Sequence, residues 1–471
     1  MAELRIENPA DPARTWLRGL AGGVGCDANM VRIAPLFCLL GSVAVSLAQG
    51  LFPVGVARVD ITAERPIRLS GFAVRTKPSD PGTYRLSATA LALGSTNNQS
   101  LCIAITVDNL GIPEYMTAEV HSQLSRKFAL KREQFAISAT HTHSAPMLTK
   151  VAPNLFAKDI LAEEQKEIDR YTKELTAKLV EVSISAVEQQ KMGELWFGRG
   201  VARFGANRRP QGGPVDHDVP VLGVKSAAGV WSAIWVNYAC HCTTLVGDFN
   251  QQCGDWATFG QEEIERKFRS SKSLVAIGCG ADINPNPRGT LANAEQHGRE
   301  LAQAVAVALQ GDMKRLRDLP VAKRVEFTLP FDTLPTKAEW EQRSSKPGIT
   351  GYHARKNLAR VNAGERIPAE LPYSLQSWVF GRDLAIVFMP GEVVVDYILR
   401  VKKEYGAERV WINAYSNDAP CYIPSEQILA EGGYEGGGAM PYYDQPTKLA
   451  TGTEERIFEQ MRTVLPASYK Q

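Results

Sequence analysis

The sequence predicts an α/β fold: one domain in which a mixed β-sheet is flanked by helices, with a metal site at the strand ends. Three observations carry this expectation. Short apolar runs bounded by polar turns alternate with segments whose apolar residues recur every three or four positions. No linker-like tract interrupts that alternation after Gln49. Several strand-like runs deliver His, Glu or Tyr just beyond their ends, as at His141, His241, Glu392 and Tyr422.

Taken in order, residues 54–62 alternate small and apolar side chains as a first strand does. Residues 87–93 and 101–107 read as a hairpin split by the polar turn Ser95-Thr96-Asn97-Asn98, and the second arm exits at Asp108-Asn109. A helix over 113–128 leads to a strand at 135–139, which runs into Thr140-His141-Thr142-His143-Ser144-Ala145-Pro146. Side chains at i and i+2 of an extended segment share a face, so His141 and His143 are expected to point into one cavity. The clearest helix spans about 159–190, with Ile168, Tyr171, Leu175, Leu179 and Val182 on one side. Strands follow at 195–198, 219–224 and 231–238, the last ending in Cys240-His241-Cys242. A helix at 258–268, a strand at 274–277 and a helix at 294–309 come next. The polar, Pro-bounded stretch 332–371 reads as a helical excursion on the surface. Strands at 373–380 and 384–389, a helix at 393–403 and a last core strand at 410–415 complete the order.

The chain has 471 residues, 44% hydrophobic and 22% charged, which suits a soluble globular protein with a large core. A formal net charge of +2 and the lack of any basic run give no basis for binding nucleic acid or an anionic membrane. Near the N-terminus, Met30-Val31-Arg32 precedes an apolar run and the small residues of Ser46-Leu47-Ala48, the layout of an export signal cut after Ala48. Residues 1–29 then read as an upstream over-extension, 30–48 as a signal peptide and 49–471 as the catalytic domain, secreted or periplasmic. The run is too short and interrupted for a stable membrane span. Cys102, Cys240, Cys242, Cys253, Cys279 and Cys421 are expected to be mostly structural thiols with at most one or two bridges, since Cys240 and Cys242 are too close to bond without strain.

A hydrolytic zinc site takes three or four N/O ligands and keeps a position for water or substrate. His141, His241, Glu392 and Tyr422 could supply such a set, because a sheet brings strand ends together whatever their separation in sequence. Asp108 and Asp255 are candidate carboxylates to orient a ligating imidazole. His121, His217, His297 and His353 read as surface or structural residues.

The segment Ala139–Pro146 closely resembles the Thr-His-Thr-His-Ser-Gly-Pro signature of the neutral (non-lysosomal) ceramidases. Asn207-Arg208-Arg209-Pro210, His241-Cys242-Thr243-Thr244, Met389-Pro390-Gly391-Glu392, Tyr422-Ile423-Pro424-Ser425 and Tyr434-Glu435-Gly436-Gly437 are similar to further blocks of that family, in the same order. The resemblance implies one Zn2+ per chain on His141, His241, Glu392 and Tyr422. It also implies that His143, Arg208 and Tyr434 line the site and serve the substrate carbonyl or the product carboxylate. The implied reaction is attack by zinc-bound water on an N-acyl, ceramide-like amide. A small acylated or lipid-like molecule is then the substrate, and the oligomeric state is left open. Two departures qualify it. Asn284 stands where the family has a serine sometimes assigned as nucleophile; an amide nitrogen is no nucleophile, so Asn284 is left to orient the amide or donate to the oxyanion. The family's C-terminal immunoglobulin-like domain has no counterpart after the Tyr434 block, which bears on ceramide as the substrate more than on the chemistry. A zinc hydrolase of an ester, peptide or acyl-sugar, or an inactive metal-stabilised binding protein, are the alternative readings.

Overall fold

The computed structural model describes residues 50–470, so the expected leader at 1–48 lies outside the described residues. The strands are β1 (Phe52–Asp60), β2 (Ser87–Leu93), β3 (Cys102–Val107), β4 (Phe135–Ala139), β5 (Lys191–Val201), β6 (Gly205–Asn207), β7 (Asp218–Ser226), β8 (Trp231–Tyr238), β9 (Lys272–Ile277), β10 (Ile283–Pro285), β11 (Lys314–Leu316), β12 (Val321–Pro330), β13 (Glu370–Phe380), β14 (Leu384–Phe388), β15 (Glu392–Val393), β16 (Val410–Asn413) and β17 (Tyr422–Ile423). The large sheet runs β4-β3-β2-β1-β5-β7-β8-β9, with β11 also on β5. It is mixed, as expected: β3 pairs with β4 and β8 with β9 in parallel, and the strands between them pair antiparallel.

The two halves of this sheet repeat one topology. Each has three antiparallel strands, a helix, and a fourth strand laid parallel to the third. The crossover helices are Glu114–Phe128 and Asp255–Lys267. Parallel strands must be joined by such a crossover, and β3 is buried along its whole length, as suits a strand covered on both faces. The helix Ala162–Glu188 covers β1 and β2 with the Ile168, Tyr171, Leu175, Leu179 and Val182 stripe. Helices Asp255–Lys267 and Leu291–Gln310 approach closely at Gly260 and Gly298, where a Cβ on Gly298 would lie 2.7 Å from the Gly260 nitrogen.

A second sheet, β12-β13-β14-β16, packs its apolar face on the first. Trp235 of the large sheet meets Trp378, Phe388 and Trp411 of the small one. The sequence reading omitted β12, whose alternation carries Lys323, Arg324 and Glu326, so it reads as polar loop. The excursion after it does fold as two helices, Lys337–Ser344 and Gly348–Asn362.

The segment after β16 places the site. Its backbone bridges the two outer strands of the large sheet: Ala414 N–H donates to Ile277 O (3.0 Å), Ala139 N–H to Tyr415 O (3.0 Å) and Asn417 N–H to Ile137 O (2.8 Å). Thr142 and Cys242 form a further bridge between the ends of the two halves. Both sheet edges are thereby covered, and the residues that follow β4, β8 and β9 are drawn together.

Asp418, in the loop leaving this segment, accepts hydrogen bonds through Oδ1 from the N–H groups of Glu114 (3.0 Å) and Ala419 (2.8 Å). Burial pushes its carboxyl up to about 6. Because this lies above the unfolded value of about 3.9, its contribution to stability is complete below about pH 4 and is lost as pH rises through 6. Asp418→Asn keeps the Oδ1 acceptor and removes the charge. It is expected to leave stability unchanged near pH 4 and to raise it at pH 7 by at most about 3 kcal/mol. Urea denaturation at the two pH values checks this, and an equal shift at both would contradict it.

Candidate metal centre

His141 and His143 follow β4, His241 follows β8, and Glu392 opens β15. His141 and His143 do converge, but not by the strand alternation that their spacing suggests. His141 adopts a left-handed backbone (φ 55°), uncommon for a residue with a Cβ. Glu392 also departs from expectation. Instead of entering a helix at residue 393, Glu392-Val393 pairs in parallel with Tyr422-Ile423, and the helix begins at Asp396. The pairing sets Glu392 directly beside Tyr422.

The nitrogens of His141, His143 and His241 all lie within 4.8 Å of one another and could hold a metal ion. Their proton positions follow from their partners. His141 Nδ1 faces Leu110 O at 2.7 Å and His241 Nδ1 faces Gly280 O at 2.7 Å. A carbonyl only accepts, so both Nδ1 atoms carry the proton and both Nε2 atoms present lone pairs. Those lone pairs face Glu392 Oε2, at 3.2 Å from His141 and 3.1 Å from His241. Three acceptors thus meet at one buried point, which requires a shared proton or a cation. His143 Nε2 is 3.2 Å from His141 Nε2, while its Nδ1 is buried without a partner.

The electrostatics run in the same direction. Burial, with help from Arg208, lowers His241 to about 4, and burial together with the neighbouring imidazoles holds His143 well below its usual value. Burial alone would raise Glu392, yet His141 and His241 bring it well below the carboxylate range. His143 and His241 are therefore favoured as neutral imidazoles beside an ionised Glu392, the protonation states in which these groups bind metals.

Around it, Arg208 Nε donates to Glu435 Oε1 (2.8 Å), its Nη2 to the Tyr422 hydroxyl (2.9 Å) and its Nη1 to Asn284 Oδ1 (3.4 Å). Burial opposes the Arg208 charge, but Tyr422, Glu435 and Glu392 keep it protonated. Burial pushes the Tyr422 phenol well up despite Arg208. Asn284 Oδ1 also accepts from Thr243 Oγ1 (3.2 Å); both partners are donors, so its oxygen faces them and its NH2 stays free. Tyr434 is 47% exposed at the rim, edge-on to Tyr422. These groups line a cavity of about 480 Å³ that includes His143, Arg208, Asn284, Tyr422 and Tyr434. His141, His143, Arg208, His241, Asn284, Glu392, Tyr422 and Tyr434 thus fall in or beside one cluster.

Asp108 and Asp255 require a correction, since neither touches an imidazole. Asp108 accepts from Ser87 and Gln261. Asp255 accepts from the Leu245 and Trp256 N–H groups, and Trp256 in turn holds His241 O (2.7 Å). Backbone carbonyls orient the imidazoles instead, and carbonyls leave no trace in a sequence. Two residues were missed. The Tyr443 hydroxyl donates to Glu392 Oε1 from a segment carrying no motif. Tyr415 stacks on His141 with ring centroids 4.2 Å apart. Arg75, which lies outside the motif blocks, is buried and ties down the His143 loop through His143 O (2.5 Å), Ser144 Oγ (3.2 Å) and Phe249 O (2.8 Å). All six described cysteines are buried free thiols.

No protein-family profile and no curated protein matches the chain. Solved structures do. One is the neutral ceramidase of Pseudomonas aeruginosa, with TM-score 0.64 and 18% identity over 84% of this chain and 72% of that one. Another is a ceramidase complexed with C2, with TM-score 0.64 and 17% identity over 84% and 73% of the two chains. The chain therefore has the neutral ceramidase fold, in agreement with the resemblance read from its motifs.

Proposed function

We propose that this protein is a zinc-dependent hydrolase of linear N-acyl amides, with one Zn2+ per chain. The observation that carries this reading is the convergence of the His141 and His241 Nε2 lone pairs on Glu392 Oε2. Two imidazoles, a carboxylate and the neighbouring Tyr422 phenol form an N/O donor set that suits zinc. His141, His241, Glu392 and Tyr422 would hold the ion, with His143 close by. When bound, zinc supplies Lewis acidity and a water acidic enough to act as nucleophile near neutral pH.

The protein's own groups account for the rest. Asn284 lines the cavity, and its NH2, which makes no hydrogen bond among the described residues, can hold the acyl oxygen as it gains charge. His143, neutral and 3.2 Å from His141, is placed to take a proton from the attacking water oxygen and return it to the leaving nitrogen. Arg208, fixed by Glu435, keeps positive charge beside Tyr422 and Asn284 and can receive the released carboxylate. Nothing here needs a side-chain nucleophile, which fits Asn284 in place of serine.

Hydrolysis of N-acylsphingosines, short N-acyl amino acids, esters and peptides, assayed before and after chelation and zinc return, tests the proposal. Amide turnover that is lost on chelation and restored by zinc is expected; turnover indifferent to chelator would overturn it. Tyr443→Phe removes the hydrogen bond to Glu392 Oε1 and is expected to weaken zinc binding by about 10–100-fold, read by competition with a chromogenic chelator. Export through residues 30–48 is part of the same reading and rests on the sequence alone. Among the described residues, no helix is long and apolar enough to cross a membrane.

A further inference from the structure

The walls of the cavity hold three arginines and two glutamates: Arg208, Arg209, Arg288, Glu431 and Glu435. Four of these are paired. Arg208 Nε bonds Glu435 Oε1 at 2.8 Å, and Arg209 Nη1 bonds Glu431 Oε2 at 2.6 Å while its Nε lies 3.4 Å from the buried Asp282. Arg288, in the loop after β10, has no hydrogen bond or ion pair with any described residue. Apart from the metal cluster, the cavity wall therefore carries one exposed positive charge with no ion-pair partner among the described residues. An arginine so placed offers a planar fork of donors that fits a carboxylate in bidentate fashion.

We propose that Arg288 is a specificity-determining residue that binds a single carboxylate on the substrate, so that the preferred substrates are N-acyl amino acids rather than uncharged N-acyl amines. This rests on the amide-hydrolase reading above and names its substrate class. One free cation calls for a monoanion, and a dianionic phosphate would leave a charge unmatched. The acyl chain has an apolar rim to lie on, because Phe72, 4.9 Å from the His143 ring, and Tyr434 face the same cavity. At about 480 Å³ the cavity is in the lower half of the size range of small-molecule sites, which suits one acyl chain and a compact head better than two long chains.

The test compares N-octanoylglycine with N-octanoylglycinamide, which differ only in a carboxylate against a carboxamide, on the zinc-loaded full-length chain. The expected kcat/KM ratio is about tenfold or more in favour of the carboxylate. It should fall towards one in Arg288→Gln and be largely kept in Arg288→Lys. A wild-type ratio near one, or a ratio that survives Arg288→Gln, would overturn the inference while leaving amide hydrolysis standing. If neither compound is cleaved, the hydrolase reading fails for both, and calorimetric binding of N-octanoylglycine then decides the role of Arg288. Binding about tenfold weaker to Arg288→Gln than to wild type supports it, and equal binding overturns it.

Discussion

Glu392→Ala is expected to abolish zinc binding and to lower amide hydrolysis by at least about a thousandfold, with the fold intact. Among the described residues, Glu392 is the only carboxylate in contact with both imidazoles, through the 3.2 and 3.1 Å approaches of its Oε2. Its removal leaves two neutral nitrogens and the Tyr422 phenol, a set without a carboxylate and too weak for a tight zinc site. Glu392→Gln separates charge from shape. Its Oε1 can still accept from Tyr443, so packing is kept, yet the amide lacks the negative charge that favours a cation. Both variants are therefore expected to lose zinc in equilibrium dialysis while keeping the wild-type circular dichroism. Full activity in Glu392→Gln would show that the carboxylate serves the fold and not the chemistry.

Arg208→Ala is the second large effect, and it should divide into two parts. The Glu435 side chain is only 8% exposed, so losing its partner leaves a nearly buried carboxylate unpaired, at a cost of about 1–3 kcal/mol in stability. Separately, Asn284 and Tyr422 lose the donor that orients them. A misplaced oxyanion donor costs about 10²–10³ in kcat. Arg208→Lys keeps the charge but carries its donors on one nitrogen, which cannot span the acceptors that Arg208 reaches through Nε, Nη1 and Nη2. It should recover most of the stability and little of the rate, and a variant that recovers both equally would contradict the orienting role. Denaturant midpoints and kcat, measured on the same preparations, read the two parts independently.

The sequence made the fold legible where periodicity is clean. The stripe from Ile168 to Val182 and the buried run of β3 each allow one reading, and the structure agrees with both. It hid β12, because a strand with Arg324 and Glu326 on its open face resembles a loop when its partner β13 is unknown. Likewise Val393 continues an apolar run that favours a helix, until pairing with Ile423, thirty residues on, makes it a strand. The site was legible as residue types at strand ends, with the motif resemblance selecting among them. What could not be read was whatever depends on the backbone or on distant contacts: the carbonyls of Leu110 and Gly280 that set the histidine tautomers, the left-handed turn at His141, and Tyr443 behind Glu392. Asp108 and Asp255 were assigned to the imidazoles because acids commonly hold them, and in this fold backbone carbonyls already do so.

The most direct test of the central claim is anomalous X-ray diffraction at the zinc edge from crystals of the zinc-loaded protein. A single peak is expected about 2.0–2.2 Å from His141 Nε2, His241 Nε2 and the Glu392 carboxylate. Zinc bound elsewhere, or a vacant cluster at saturating zinc, would contradict it.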